Sequence, residues 1–177
     1  MAESFVNSLT RAVGIVTTAT GGAIAAGASA VTGISTAGIG VSDLVDNTNF
    51  IAGTKVYSVG VGVITCSRTA TNTAAATNQS LTFLGPTTAL TAADKSILIG
   101  GTFANNTGSS VNLTVEAYDQ STTVGVAIAS KIPVPAGSSF VITDAGKTLL
   151  ETSDELRVYC DTANAIDVDL SILKGVS

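Results

Sequence analysis

From about Ser96 to the end of the chain, apolar and polar residues alternate with the two-residue period of strands that bury one face. Leu156, Val158 and Cys160 alternate with Arg157 and Tyr159, and Ile166, Val168, Leu170 and Ile172 alternate with Asp167, Asp169 and Ser171. The polar link Asp161-Thr162-Ala163-Asn164 between these runs predicts a hairpin. Val111, Leu113, Val115 and Ala117 repeat the pattern after the turn-forming stretch from Ala104 to Ser110, which closes a run beginning at Ser96. A second hairpin is expected there. Ile132-Pro133-Val134-Pro135 removes ladder donors at two alternate positions and so belongs at a sheet edge, before a strand from Ser138 to Thr143 and a turn at Asp144-Ala145-Gly146-Lys147.

This density of short strands predicts an all-β fold, an antiparallel two-sheet sandwich over residues 80–177. Its inward side should include Leu113, Val115, Ile142, Leu156, Val158, Val168, Leu170 and Ile172. Upstream, the runs Gly53 to Val59 and Val63 to Ser67 flank a Gly60-Val61-Gly62 turn, so residues 36–79 read as a small β-hairpin insert. Residues 1–35 hold one plausible strand, Leu9 to Thr18, followed by Gly- and Ala-rich sequence with little apolar bulk. They read as an extended N-terminal arm laid along a neighbouring subunit, its strand added to that subunit's sheet edge.

Composition narrows the function. Charged residues make up 12% of the chain, about half the usual share, so much of the exterior is expected to meet other protein. With net charge −5 and eight scattered Lys and Arg, there is no basic stripe for a phosphate backbone. The uncharged stretch from Ala12 to Val41 is long enough for a membrane span, yet it lacks Leu and Phe and is dominated by Gly, Ala, Ser and Thr, which argues against one. Met1-Ala2-Glu3-Ser4-Phe5 lacks the features of a secretory signal, so cytoplasmic synthesis is expected. In that setting Cys66 and Cys160 are expected to be free, buried thiols. The N-x-S/T triplets at Asn78, Asn105 and Asn112 become loop and strand residues.

Candidate chemistry is sparse along the chain. Without any histidine, the usual general base, the Ser-His and Cys-His nucleophiles and most zinc sites are missing. Glu116, Asp119, Glu151, Asp154, Glu155, Asp161, Asp167 and Asp169 could supply a glycosidase pair, but Asp167 and Asp169 fall on an outward strand face and Asp154 and Glu155 in a turn. Asp43, Asp46, Asn47 and Asn49 suggest calcium by composition, but their spacing is not that of an EF-hand, and a turn-forming loop is preferred. Gly38-Ile39-Gly40 and Gly60-Val61-Gly62 have no strand-loop-helix context for a nucleotide. The aromatics Phe103, Tyr118, Phe140 and Tyr159, with no tryptophan in the chain, form no stacking platform for sugars or bases. No catalytic, cofactor-binding or metal-ligating residue is expected, and no cofactor.

Three segments taken in order resemble a pattern of small virion structural proteins of tailed phages: Ser96 to Asn105; Ile132-Pro133-Val134-Pro135-Ala136-Gly137-Ser138-Ser139; and Leu156-Arg157-Val158 with Ala165 to Leu173. Leu9 to Thr18 and Val41-Ser42-Asp43-Leu44-Val45 are similar to the versions in T4-like phages of marine cyanobacteria. Glu151-Thr152-Ser153-Asp154 departs from that pattern, which more often carries Ala-Gly at its turn. The resemblance implies a non-enzymatic virion protein, foremost a capsid decoration protein, with a neck, head-tail connector or tail protein or a receptor- or carbohydrate-binding module as alternatives. It implies other virion proteins and copies of itself as partners, with no nucleic acid and no membrane.

Overall fold

A computed structural model describes residues 3–143 and 148–176. Among them there is no helix, and the all-β class expected from the alternation holds. The chain forms two compact units, Met1–Gly14 with Thr87–Ser177, and Ile15–Pro86. The first contributes β1 (Ser4–Val13); the second contains β2 (Ile15–Ile24), β3 (Ala30–Thr32), β4 (Leu44–Asp46), β5 (Val56–Gly60), β6 (Val63–Cys66) and β7 (Ala76–Gly85). The chain then returns to the first unit with β8 (Thr87–Thr91), β9 (Ser96–Asn105), β10 (Val111–Asp119), β11 (Val124–Val134), β12 (Ser139–Ile142), β13 (Thr148–Leu150), β14 (Glu155–Cys160) and β15 (Ile166–Lys174).

In the first unit, one sheet has the order β1-β15-β9-β12, with β13 also pairing β9, and the other has the order β11-β10-β14-β8. All pairs are antiparallel. Leu98, Phe103, Val168, Leu170 and Ile172 of the first sheet and Leu113, Val115, Leu156, Val158 and Cys160 of the second join one buried cluster. Each such side chain contributes about 1.5–3 kcal/mol by leaving water. Every expected inward residue is in place, Ile142 being half-buried against the core.

Both expected hairpins are corrected. β9 and β10 lie in different sheets, and so do β14 and β15. Alternation reports which face of a strand is buried and is blind to which strand lies beside it, because both sheets of a sandwich present the same pattern. Short polar links can instead arch over the roughly 10 Å between sheets. Asn105 secures the first arch. Its side chain is buried; Nδ2 donates to the carbonyls of Ser109 and Val134 at 2.8 and 2.9 Å, and Oδ1 accepts from the Thr107 amide at 2.9 Å. The second arch is held by Ala165 N donating to Val13 O and by Asn112 N donating to Asp161 Oδ1. The proline-bearing run does lie on an edge, as Pro133 sits in β11. Residues 144–147, read as a turn, lie outside the described residues.

The division into an arm (1–35), an insert (36–79) and a sandwich (80–177) is also corrected. Ser4–Val13 pairs with β15 of its own unit, from Ser4↔Lys174 to Val13↔Ile166. Gly14 then turns at φ +130, where a Cβ would collide with the Thr162 carbonyl. β2 pairs with β7 in a six-stranded sheet of order β4-β7-β2-β3-β6-β5. The Gly/Ala-rich segment is buried by bulk from elsewhere: Leu81 and Phe83 of β7 and Ile64 of β6 pack with Ala19, Ile24 and Val31. The hairpin around Val61-Gly62 is present as β5–β6 within this sheet.

Candidate functional site

The carboxylates of the first unit are spread over both sheets, and hydrogen bonding engages most of them in holding the chain. Asp119, at the end of β10, accepts from Ser121 N and Oγ and from Thr122 N, which together hold its carboxyl well down, at about 2. Asp154 is buried in the turn before β14 and accepts from Glu151 N and Gln120 N. Asp161 accepts from the backbone and side-chain amides of Asn112, at 2.9 and 2.7 Å. Asp167 takes the Ala12 amide where β1 bulges, with Arg11 at 3.9 Å, while Asp169 stays exposed on the same outward face. Glu151 pairs with Lys95 at 3.0 Å.

Glu116 is different. It leaves the inward row of Leu113 and Val115, yet it is only 3% exposed, and Tyr159 donates to its Oε1 at 3.3 Å. Burial first, then the Glu116 charge, raises the Tyr159 hydroxyl above its ordinary range, so the phenol stays a proton donor. Across the register Glu116 faces Arg157, whose Nε donates to Glu155 at 2.7 Å and whose guanidinium lies 3.3 Å from the Tyr118 ring centre. Gly125, whose Cβ would strike the Glu116 carboxylate, leaves that carboxylate its space. The alternation Thr114-Glu116-Tyr118 gives no hint of this burial, which is why the network escapes a reading of the sequence. Chemically it is a buried acid and phenol that tie β10 to β14; both are too buried for a substrate to reach.

The loop considered for calcium is held by its own hydrogen bonds. Asp43 Oδ2 accepts from Gly40 N at 2.8 Å, Asn47 Oδ1 takes the backbone and side-chain amides of Asn49, and Asn47 Nδ2 donates to Ser80 O. Burial raises the Asp43 carboxyl, and the Gly40 amide partly offsets the rise. Among the described residues no group of three or more His, Cys, Asp or Glu gathers around a metal-sized space. Cys66 and Cys160 are free and buried; burial lifts the Cys66 thiol to about 11 and raises that of Cys160.

Three concavities among the described residues are shallow. One of about 280 Å³ is lined by Tyr118, Asp119, Val124, Val126, Leu149 and Asp154. A second, of about 310 Å³, lies beside Asn105, Thr107 and Ser138, and a third, of about 260 Å³, is lined mostly by alanines of the 15–86 unit. No helix among the described residues is long and apolar enough to cross a membrane. No protein-family model, curated protein or solved structure matches the chain.

Proposed function

We propose that this chain is a non-enzymatic structural subunit of a tailed-phage virion, and specifically a capsid decoration protein that stabilises the head through repeated contacts with the shell and with its own copies. The observation that carries this reading is the exterior. Phe5, Leu9, Tyr57, Val61, Val141 and Leu149 are all exposed on a chain with few charges, a surface suited to contact with protein. The carboxylates act as turn caps, bulge anchors and a strand tie, which is the use a rigid structural subunit makes of them. The resemblance of the segments around Asn105, Pro133–Pro135 and Ile166–Leu173 supplies the particle. Because contacts repeated over a symmetric shell add up, each can be weak alone and still hold the assembly.

The test is to purify virions of a phage encoding this chain, identify their proteins by mass spectrometry and average the particle density. The reading predicts the chain at many copies on the outside of the head. Finding it missing from purified particles would sink the proposal, and density at the neck or tail would overturn its decoration role.

A further inference from the structure

Sheet edges invite pairing with another chain, and proteins usually blunt them. Most edges here are blunted. β12 and β13 have four and three residues and β4 has three; β5 and β8 have five each, with an irregular register. β11 carries Pro133, two register shifts and a left-handed Lys131. β1 is the exception. It runs for ten residues without proline, keeps regular register from Ser4 to Thr10, and among the described residues pairs on one side only, with β15. Ser8 and Thr10 point inward, their hydroxyls donating to Ala89 O. The opposite face presents Phe5 at 77% and Leu9 at 72% exposure.

Phe5, Asn7 and Leu9 form the exposed outward row within the regular register, flanked by exposed Glu3 just before the strand and by exposed Arg11 at the start of the bulge, where it also lies 3.9 Å from Asp167. This series is complementary to itself when reversed. Antiparallel pairing about a twofold axis at Asn7 sets Glu3 against the second copy's Arg11 and Phe5 against its Leu9, and brings the two Asn7 amides together. Opposite charges, apolar pairs and a polar pair on the axis are the cross-strand combinations that stabilise a sheet, and every one forms twice or on the axis. Shifting the pairing by two residues to either side sets Phe5 against Asn7 or against Arg11. We infer that the free edge of β1 pairs with the same edge of a second copy in this register, joining two five-stranded sheets into one. The inference rests on β1 alone and holds whether or not the chain belongs to a virion.

The full chain in solution, without particles, tests it. Sedimentation velocity should show a concentration-dependent species of twice the chain mass; a monomer at every concentration overturns the proposal. Leu9→Lys places a charge against Phe5 at an exposed position, so it should give monomers with an unchanged β-sheet circular dichroism spectrum. Asn7→Lys, setting two ammonium groups face to face, should do the same, and a dimer that survives both substitutions refutes the interface. Register is read by disulfide trapping: Asn7→Cys should cross-link two copies on mild oxidation, since directly opposed strand residues lie within disulfide reach, whereas Phe5→Cys should not. Cys66 and Cys160 are buried and stay out of this reaction. Trapping at position 5 and not at position 7 rules out the twofold at Asn7.

Discussion

The two units obey the same two-residue rule with different side chains. In the sandwich unit the central strands β9, β10, β14 and β15 each bring their own apolar row, and the core is filled from both sheets by Leu98, Phe103, Leu113, Leu156, Ile166 and Leu170. In the 15–86 unit β2 brings mainly threonine, alanine and glycine, and burial comes from Leu81 and Phe83 on β7 and Ile64 on β6. Gly22 has no side chain, and a Cβ there would press into Leu81, Ile34 and Val31. A poor strand can thus be central when its neighbours carry the bulk. The sandwich spreads its apolar bulk over many strands, whereas the smaller unit depends on a few large residues.

The sharpest way to break the contrast is to strike each core at its centre. Leu170→Asp places an unpaired carboxylate in the fully buried sandwich core, which costs several kcal/mol, comparable with the whole stability of a domain. Loss of the cooperative unfolding transition by circular dichroism is the expected outcome, and a folded variant would show the inward face to be wrongly assigned. Phe83→Ala should cost about 3–5 kcal/mol. Because Phe83 is the largest side chain among those most deeply buried in its unit, hydrogen exchange should accelerate across residues 15–86. Strands β10 and β14 should keep their protection, and uniform acceleration of both units would mean that they unfold as one.

The contrast also explains what the sequence discloses. Leu113, Val115, Leu156, Val158, Val168 and Leu170 reveal their buried face because each strand's own alternation encodes it. Pairing does not show: β14 and β15 are neighbours along the chain yet lie in opposite sheets, and the arch between them is set by backbone bonds to Val13 and by the Asn112–Asp161 contact, all distant in sequence. Residues 1–35 mislead for a related reason, since the pairing of β1 with β15 and of β2 with β7 spans long stretches of chain. Of the candidate chemistry, the missing histidine and the outward Asp169 are legible, whereas the burial of Glu116 and Asp154 depends on β14, Gly125 and Gln120, which alternation cannot place.

Two smaller perturbations sharpen the comparison. Asn105→Ala removes the buried side chain that joins the Ser109 and Val134 carbonyls to the Thr107 amide across the first arch, and should cost about 1–3 kcal/mol, confined to the sandwich. A midpoint shift in urea seen by sandwich amides alone is the expected result. Cys66 and Cys160 lie one in each unit, so their alkylation reads the opening of each unit separately. Both should resist labelling at pH 8 in the native protein. Cys66 should become reactive first in Phe83→Ala and Cys160 first in Asn105→Ala. Changing both cysteines to Ala should cost about 1–3 kcal/mol of packing, measured by urea denaturation.

The smallest effect is in acid, where the units should respond with opposite sign. Asp119 in the sandwich unit has a native carboxyl near 2 because three donors from Ser121 and Thr122 favour its charged form. Its contribution is fully present above the unfolded value of 3.8 and is lost as pH falls from there toward 2. Asp43 in the 15–86 unit is raised by burial, so its contribution is fully present below 3.8 and is lost as pH rises through the native value. Acidification from neutrality should therefore relieve the smaller unit before it weakens the Asp119 turn. Asp43→Asn keeps an acceptor for Gly40 N without the charge, and should flatten the pH dependence of Cys66 protection while leaving that of Cys160 alone. Asp119→Asn should abolish the loss between about 4 and 2 in the sandwich only. Thiol protection and hydrogen exchange, followed in wild type and both variants across that range, check the signs. If the two units changed together in the same direction, the separate electrostatics assigned to them would be wrong.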